Sequence, residues 1–215
     1  MAWNVHGFRA GTPAVAEVIA EQGPEVVLLN EVGYLGFRVH RLARRLGMGV
    51  VTGGTLRHRI PNAVLARPPW RVVDHRVEVL PRMSHELRRG AVLATIGRAG
   101  RRVLAVSVHL GLSTRERRRH AEVLTDLLGA RHEPVVLGGD LNESPDGPAA
   151  SWIGERYWDA YGNLEGPDGL TFPSTDPRAR IDYVFVSGVE VERAWVAGEP
   201  GASDHLAVLA DLRLD

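Results

Sequence analysis

Short apolar runs rich in valine, isoleucine and leucine alternate along the chain with segments whose apolar residues return at helical spacing. Residues 25–29, 63–66, 92–96, 103–110, 134–137, 181–186 and 206–212 read as strands, because strands of a covered sheet show as brief, nearly continuous apolar stretches. Three helices stand out. Thr12 and Pro13 supply an N-cap and first turn, with Gly23 as the stop. Leu35, Val39, Leu42 and Leu46 form a stripe ending at Gly47. Ser113 and Glu116 make an S-x-x-E capping box, followed by the stripe Ala121, Leu124 and Leu128 up to Gly129. Segments 72–79, 92–96 and 103–108 look like antiparallel hairpin strands. Strand–helix alternation with hairpins predicts a mixed-sheet α/β sandwich, read as one domain over residues 1–215.

Composition narrows the chemistry. The 215 residues are 44% apolar, which suits a folded domain rather than a disordered chain. Cysteine is absent, which excludes disulfides, thiolate metal sites and a cysteine nucleophile. No apolar run approaches the ~18 residues of a membrane span. MAWNVHGFRA lacks the features of a secretory signal, so the expected location is cytoplasmic, with export left open if the N-terminus is incomplete. All 26 basic residues are arginine and balance 26 acidic ones, which excludes a lysine base and disfavours a nucleic-acid coat protein. A local basic groove stays open. Arg57, His58, Arg59, Arg115 and residues 117–119 are candidates for phosphate contacts, against the plainer reading of a solvated charged face.

Polar residues of similar kinds sit where the apolar runs meet loops. Asn4 follows Trp3, Glu31 follows VVLLN, and His109 ends VLAVSV. Asp140 and Asn142 follow VVLGG, Asp182 starts DYVFV, and Asp204 and His205 precede LAVLADL. In α/β sheets ligand sites gather at such an edge. Each residue also has a plain structural reading: a solvated edge glutamate, an Asx-turn at Asp140, Asp182 paired with Arg178 or Arg180, a half-buried histidine. Alternation puts Val103, Ala105, Ser107 and His109 on one strand face and the larger Leu104, Val106, Val108 and Leu110 on the other. Were residues 140–142 extended, Asp140 and Asn142 would face the same way. Two carboxylates about 4 Å apart repel by roughly 4 kcal/mol at an effective dielectric near 20. Gathering Glu31, Asp140, Asp182 and Asp204 in one cleft therefore calls for a divalent cation or protonated histidines.

Taken in order, WNVHG, LLNEV, SVHLG, GGDLNESP, RIDYVFVS and SDHLAV resemble the endonuclease/exonuclease/phosphatase superfamily, the DNase-I-like metal-dependent phosphoesterases, from Asn4 to about Leu212. The resemblance implies a four-layer α/β sandwich of two packed mixed β-sheets flanked by helices, with Mg²⁺ or Mn²⁺ as cofactor. It implies hydrolysis of a phosphate ester by an Asp-activated water. By the same resemblance Glu31 is the main metal ligand, with Asn4 beside it and Asp204 near the ion. Asp140 and Asn142 hold the attacking water and the phosphate, and His205 meets the scissile phosphate with Asp182 orienting its ring. His109 matches the histidine of the branch that includes DNase I, sphingomyelinases and many phosphatases. Arg89, in RRGAVLATI, and Asn62, in PNAVLAR, match positions near the substrate phosphate. Asn30 departs from the glutamine common before the metal-ligand glutamate. The Tyr and Pro-Asn pattern of abasic-site endonucleases is missing, which disfavours that repair activity. The expected partner is a phosphate-ester substrate, either nucleic acid or a small molecule or lipid headgroup, acted on by a monomer. The competing reading is a non-catalytic binding module on a degenerate enzyme fold.

Overall fold

Twelve strands and four helices are seen in a computed structural model that describes residues 1–83, 88–165, 168–198 and 200–214. Alternate residues of each strand face opposite ways, and here both faces are covered. The first sheet has the order β11-β12-β1-β2-β4-β3, built from β1 (Ala2–Asn4), β2 (Val26–Asn30), β3 (Gly49–Thr52), β4 (Asn62–Ala66), β11 (Glu190–Ala197) and β12 (Ala207–Arg213). The second has the order β5-β6-β7-β8-β10-β9, from β5 (Arg71–Val79), β6 (Gly90–Arg98), β7 (Arg101–His109), β8 (Val135–Asp140), β9 (Trp158–Asp159) and β10 (Asp182–Ser187). β1–β2 and β7–β8 are parallel and the other pairings antiparallel, so both sheets are mixed.

The layers follow from side-chain parity. Ala2, Leu28, Val64, Val92, Ala94, Ala105 and Val184 meet between the sheets, where small and β-branched residues let two sheets approach closely. The opposite parity of the first sheet, including Trp3, Val27, Leu29 and Leu65, packs on α1 (Thr12–Gln22) and α2 (Phe37–Leu46). In the second sheet, Leu104, Val106, Val108 and Phe185 pack on α3 (Thr114–Gly129) and α4 (Pro148–Gly154). This is the four-layer sandwich that the resemblance implied, and it contains the mixed-sheet α/β sandwich read from the strand–helix alternation. Among the described residues no helix is long and apolar enough to cross a membrane.

Several expected boundaries move. β8 runs through Gly138 and Gly139 to Asp140, beyond the apolar run that marked it. α1 is capped at Gly11, with Thr12 already helical, and α2 starts at Phe37, leaving Leu35 outside the helix and exposed. Ser113 Oγ accepts the Glu116 amide as the capping box requires, but the Glu116 carboxylate is buried and accepts the Met83 amide. β3, β9, β11 and α4 carry too weak a pattern to be read in advance: β9 has two residues, and β11 (EVERAWVA) crowds its three charged residues into its first half.

One inward-facing residue joins the sheets. Asn30 Nδ2 donates to Val108 O at 2.9 Å and Ser107 Oγ at 3.2 Å, and Asn30 Oδ1 accepts the Asp140 amide at 2.8 Å. Ser107 Oγ donates back to Leu29 O at 2.8 Å. Asn62, opposite Asn30 in the β2–β4 register, donates to Gly90 O at 2.9 Å and Ser107 O at 3.2 Å. Gly139 is needed where they meet: its φ is +141°, and a Cβ there would collide with the Val108 carbonyl and lie 2.6 Å from Asn30 Oδ1. Replacing Asn30 by leucine strands the buried Asp140 amide. Urea unfolding of Asn30→Leu is expected to show a loss of about 3 kcal/mol, whereas a loss under about 1 kcal/mol would mean the bridge is dispensable.

Candidate active site

The strand registers bring the polar junctions together. In the first sheet Asn4 lies opposite Asn30, and Asn30 opposite Asn62. In the second, Gly90 lies opposite His109, His109 opposite Asp140, and Asp140 opposite Asp182. The two rows end the inter-sheet layer at one edge, and β12, antiparallel to β1, begins at that edge just after Asp204 and His205. Side chains from seven strand ends therefore meet at one edge although they are scattered over some 200 positions of the chain.

Asp140 is the hub. Its Oδ2 accepts from Asn4 Nδ2 at 3.0 Å, lies 3.3 Å from His109 Nε2 and 3.9 Å from His205 Nε2, and its Oδ1 accepts the Asn142 amide at 2.8 Å. Burial alone would push the Asp140 carboxyl up, but the charge and hydrogen bond of His109, the charge of His205 and the Asn142 amide hold it well below the usual carboxylate range. Asn4 Nδ2 also donates to Glu31 Oε1 at 3.2 Å, so one carboxamide bridges two carboxylates.

His205 Nδ1 lies 2.8 Å from Asp182 Oδ2, which also accepts from Thr171 Oγ1 at 2.6 Å. That arrangement puts the Nδ1 proton on the Asp182 side and turns Nε2 toward Asp140. Burial works against a charged imidazole, but the adjoining Asp182, with Asp140 and Asp204, outweighs it and raises the His205 pKa to about 9. The Phe172 ring packs on the imidazole at 4.7 Å, and Trp3 Nε1 donates to the His205 carbonyl at 2.8 Å. Arg89 Nη1 lies 2.8 Å from each ring nitrogen of His109, and Asn142 Nδ2 lies 3.1 Å from His109 Nε2.

Backbone strain collects here. Glu31 has φ +57° and Asn142 φ +54°, both in the left-handed region that asparagine tolerates and glutamate rarely adopts. Asn142 thus reaches the site from a turn and not from the extended segment expected, and the Asx-turn and the site geometry coexist. Asp204 stands apart from Asp140, 3.3 Å from His6 Nδ1 and partly exposed. Asn62 is fully buried and spends its amide on backbone carbonyls, with Oδ1 unpaired. Asp182 does not pair with an arginine: Arg178 pairs with Asp176, and Arg180 with Asp159. Nor are Arg117, Arg118 and Arg119 of the α3 charge run free, since Arg117 binds Glu143 while Arg118 and Arg119 bind Glu122. Sequence reasoning missed Thr171, Ser203 and His6. Ser203 Oγ donates to the Asn4 carbonyl at 2.7 Å. Their only sequence signal is that His6 and Ser203 lie inside the WNVHG and SDHLAV segments.

These donors suit a hard divalent cation, because the Glu31 and Asp140 oxygens converge on a single amide with no arginine between them. A second group, Asp140, Asp182 and His205, has ligand atoms all within 4.8 Å of one another. A match to the Endonuclease/Exonuclease/phosphatase family spans residues 1–205. The chain belongs to that family. Members of the endonuclease/exonuclease/phosphatase family are hydrolases acting on phosphate esters. No curated protein sequence matches the chain. Its fold is similar to that of humanized D. rerio TDP2 (TM-score 0.83, 17% identity, covering 99% of this chain and 97% of that one). It is also similar to the human Nocturnin catalytic domain with bound sulfate (0.79, 19%, 100% and 93%). A third match is a Bacteroides thetaiotaomicron mannosyl-6-phosphatase (0.78, 18%, 94% and 90%).

The His205–Asp182 contact carries a pH consequence. A folded-state pKa above the unfolded value of about 6.5 adds stability that is complete below that pH and is lost as pH rises through about 9. NMR titration of the His205 ring in chelator-treated protein is expected to show that high midpoint. In Asp182→Asn the midpoint is expected to fall by more than one unit, because burial then acts with less opposition. An unchanged midpoint would remove Asp182 as the cause.

Proposed function

We propose that this family member hydrolyses a phosphate diester or monoester by attack of a water that Asp140 deprotonates. The observation that carries the reading is the meeting of Asp140 with His109 and His205, a carboxylate held ionised beside two potential donors to a phosphate. Asp140 accepts the water proton, and Asn142 holds the water and a phosphate oxygen. His205, kept protonated by Asp182, donates from Nε2 to a non-bridging oxygen, where negative charge grows in the transition state. His109 and Arg89 act from the other side of the phosphate, and Asn62 supports the strand edge behind them. Glu31, with Asn4 beside it and Asp204 near the ion, would hold a divalent cation, Mg²⁺ or Mn²⁺, that would polarise the phosphate and screen the clustered carboxylates. Phe172 packs on the His205 ring and Trp3 Nε1 holds its carbonyl, which steadies the imidazole.

Bis-p-nitrophenyl phosphate is the direct assay. Turnover is expected with Mg²⁺ or Mn²⁺ and to stop with a chelator, and both Asp140→Asn and His205→Ala are expected to lower kcat by about 10²–10⁴. Wild-type turnover equal to that of both variants would end the proposal and favour a binding module. Cleavage of a nucleic acid is expected to weaken steeply between ~50 and 200 mM salt, whereas hydrolysis of a small ester changes little.

A further inference from the structure

Between Glu31 and Asp74 the chain carries eight arginines and no acidic residue, although its total charge is zero. Six of these arginines lie on α2 or in the loop before β4: Arg38, Arg41, Arg44, Arg45, Arg57 and Arg59. Among the described residues none of the six forms an ion pair, unlike Arg117, Arg118 and Arg119 on α3. Arg38 donates to the Gly7 carbonyl and Arg59 lies over the Tyr34 ring. Glu17 and Glu21, on the neighbouring α1, form no ion pair with them either.

Apolar side chains project from the same face. Leu35 is 55% exposed, Phe37 76% and Leu56 85%. With Tyr34, Arg38 and Arg59 they border a cleft of about 610 Å³ that begins at Val32, the residue after Glu31. Arg38 and Arg41 line the next depression, and Arg41, Arg44 and Arg45 the one beyond. Apolar tips and unpaired arginines thus form one continuous face that starts beside the candidate active site.

We infer that this face docks the protein on an anionic lipid surface, with Leu35, Phe37 and Leu56 entering the headgroup boundary and the arginines on α2 meeting lipid phosphates. Side chains more than half exposed are poorly placed to clasp a small ligand, but they fit insertion into an interface. Two of the three tips are leucines, which lack the flat face on which a nucleic-acid base stacks. Long arginine stems can lie along the boundary while their guanidinium groups reach phosphate. The face opens beside Glu31, so a docked membrane would present headgroup phosphates to the cleft. The docking is read without turnover and stands apart from the proposed hydrolysis.

Sedimentation with phosphatidylcholine vesicles, with or without about 30% phosphatidylglycerol, tests this. The intact protein is expected to bind the anionic vesicles and to release them as salt rises. Combining Leu35→Ser, Phe37→Ser and Leu56→Ser is expected to weaken binding at least about tenfold. Each of Arg41→Gln, Arg44→Gln and Arg45→Gln is expected to weaken it about fivefold at low salt. Circular dichroism and turnover of a soluble ester report whether the variants keep their fold. Equal binding to both vesicle types, or binding untouched in folded variants, would overturn the inference. So would binding of a single-stranded oligonucleotide that the same variants lose while vesicles stay unbound, which would assign the face to nucleic acid.

Discussion

The carboxamide of Asn30 joins the two sheets where the candidate catalytic groups begin, and the geometry of that edge depends on it. Its oxygen takes the Asp140 amide, and its nitrogen holds the end of β7 through Val108 and Ser107. The backbones that carry His109 and Asp140 are thus pinned to the strand that leads into Glu31. Such bonds are formed in a buried layer, where an unpaired amide would be costly, so the register has little freedom to slip. Asn30 spans the gap because Gly138 and Gly139 let the β8 backbone come close, Gly139 in a conformation closed to other residues.

On that frame the site concentrates charge. Asp140 and Asp182 are buried against His205, Glu31 shares the Asn4 amide with Asp140, and the left-handed backbone at Glu31 is held against its preference. Protonated His205 and the Arg89 guanidinium offset part of that charge, and a divalent cation would offset more. The same crowding that makes the cluster expensive to assemble is what makes it responsive to a phosphate and a metal ion.

Arginine is used differently on the two outer layers. On α3 Arg117, Arg118 and Arg119 are spent within the protein, on Glu143 and Glu122 and on the Trp152 ring. On α2 and the loop before β4 they have no carboxylate partners and stand beside exposed apolar side chains. The difference is already local: α3 carries Glu122 one turn from Arg118 and Arg119, whereas no acidic residue lies between Glu31 and Asp74.

Much of the central sheet was legible because its strands are buried on both faces and show as continuous apolar runs, as in VVLL, AVLA and YVFV. Parity read in advance placed His109 on the less bulky face of its strand; in the structure Asn4, Asn30, Asn62, His109, Asp140 and Asp182 all fall on inward positions where an apolar run meets a loop. Edge strands such as β3 and β11, half in solvent, had no such signature. The amino-acid sequence by itself determined the strand cores, the helix stripes and the residue types available for phosphate chemistry, since burial and backbone geometry act on near neighbours. The sheet order, the Asn30 bridge, the pairing of His205 with Asp182 and the distant partners of Arg117 and Arg180 were decided only by the tertiary structure. Hydrogen bonds and charges act over a few ångströms in space and are indifferent to separation along the chain.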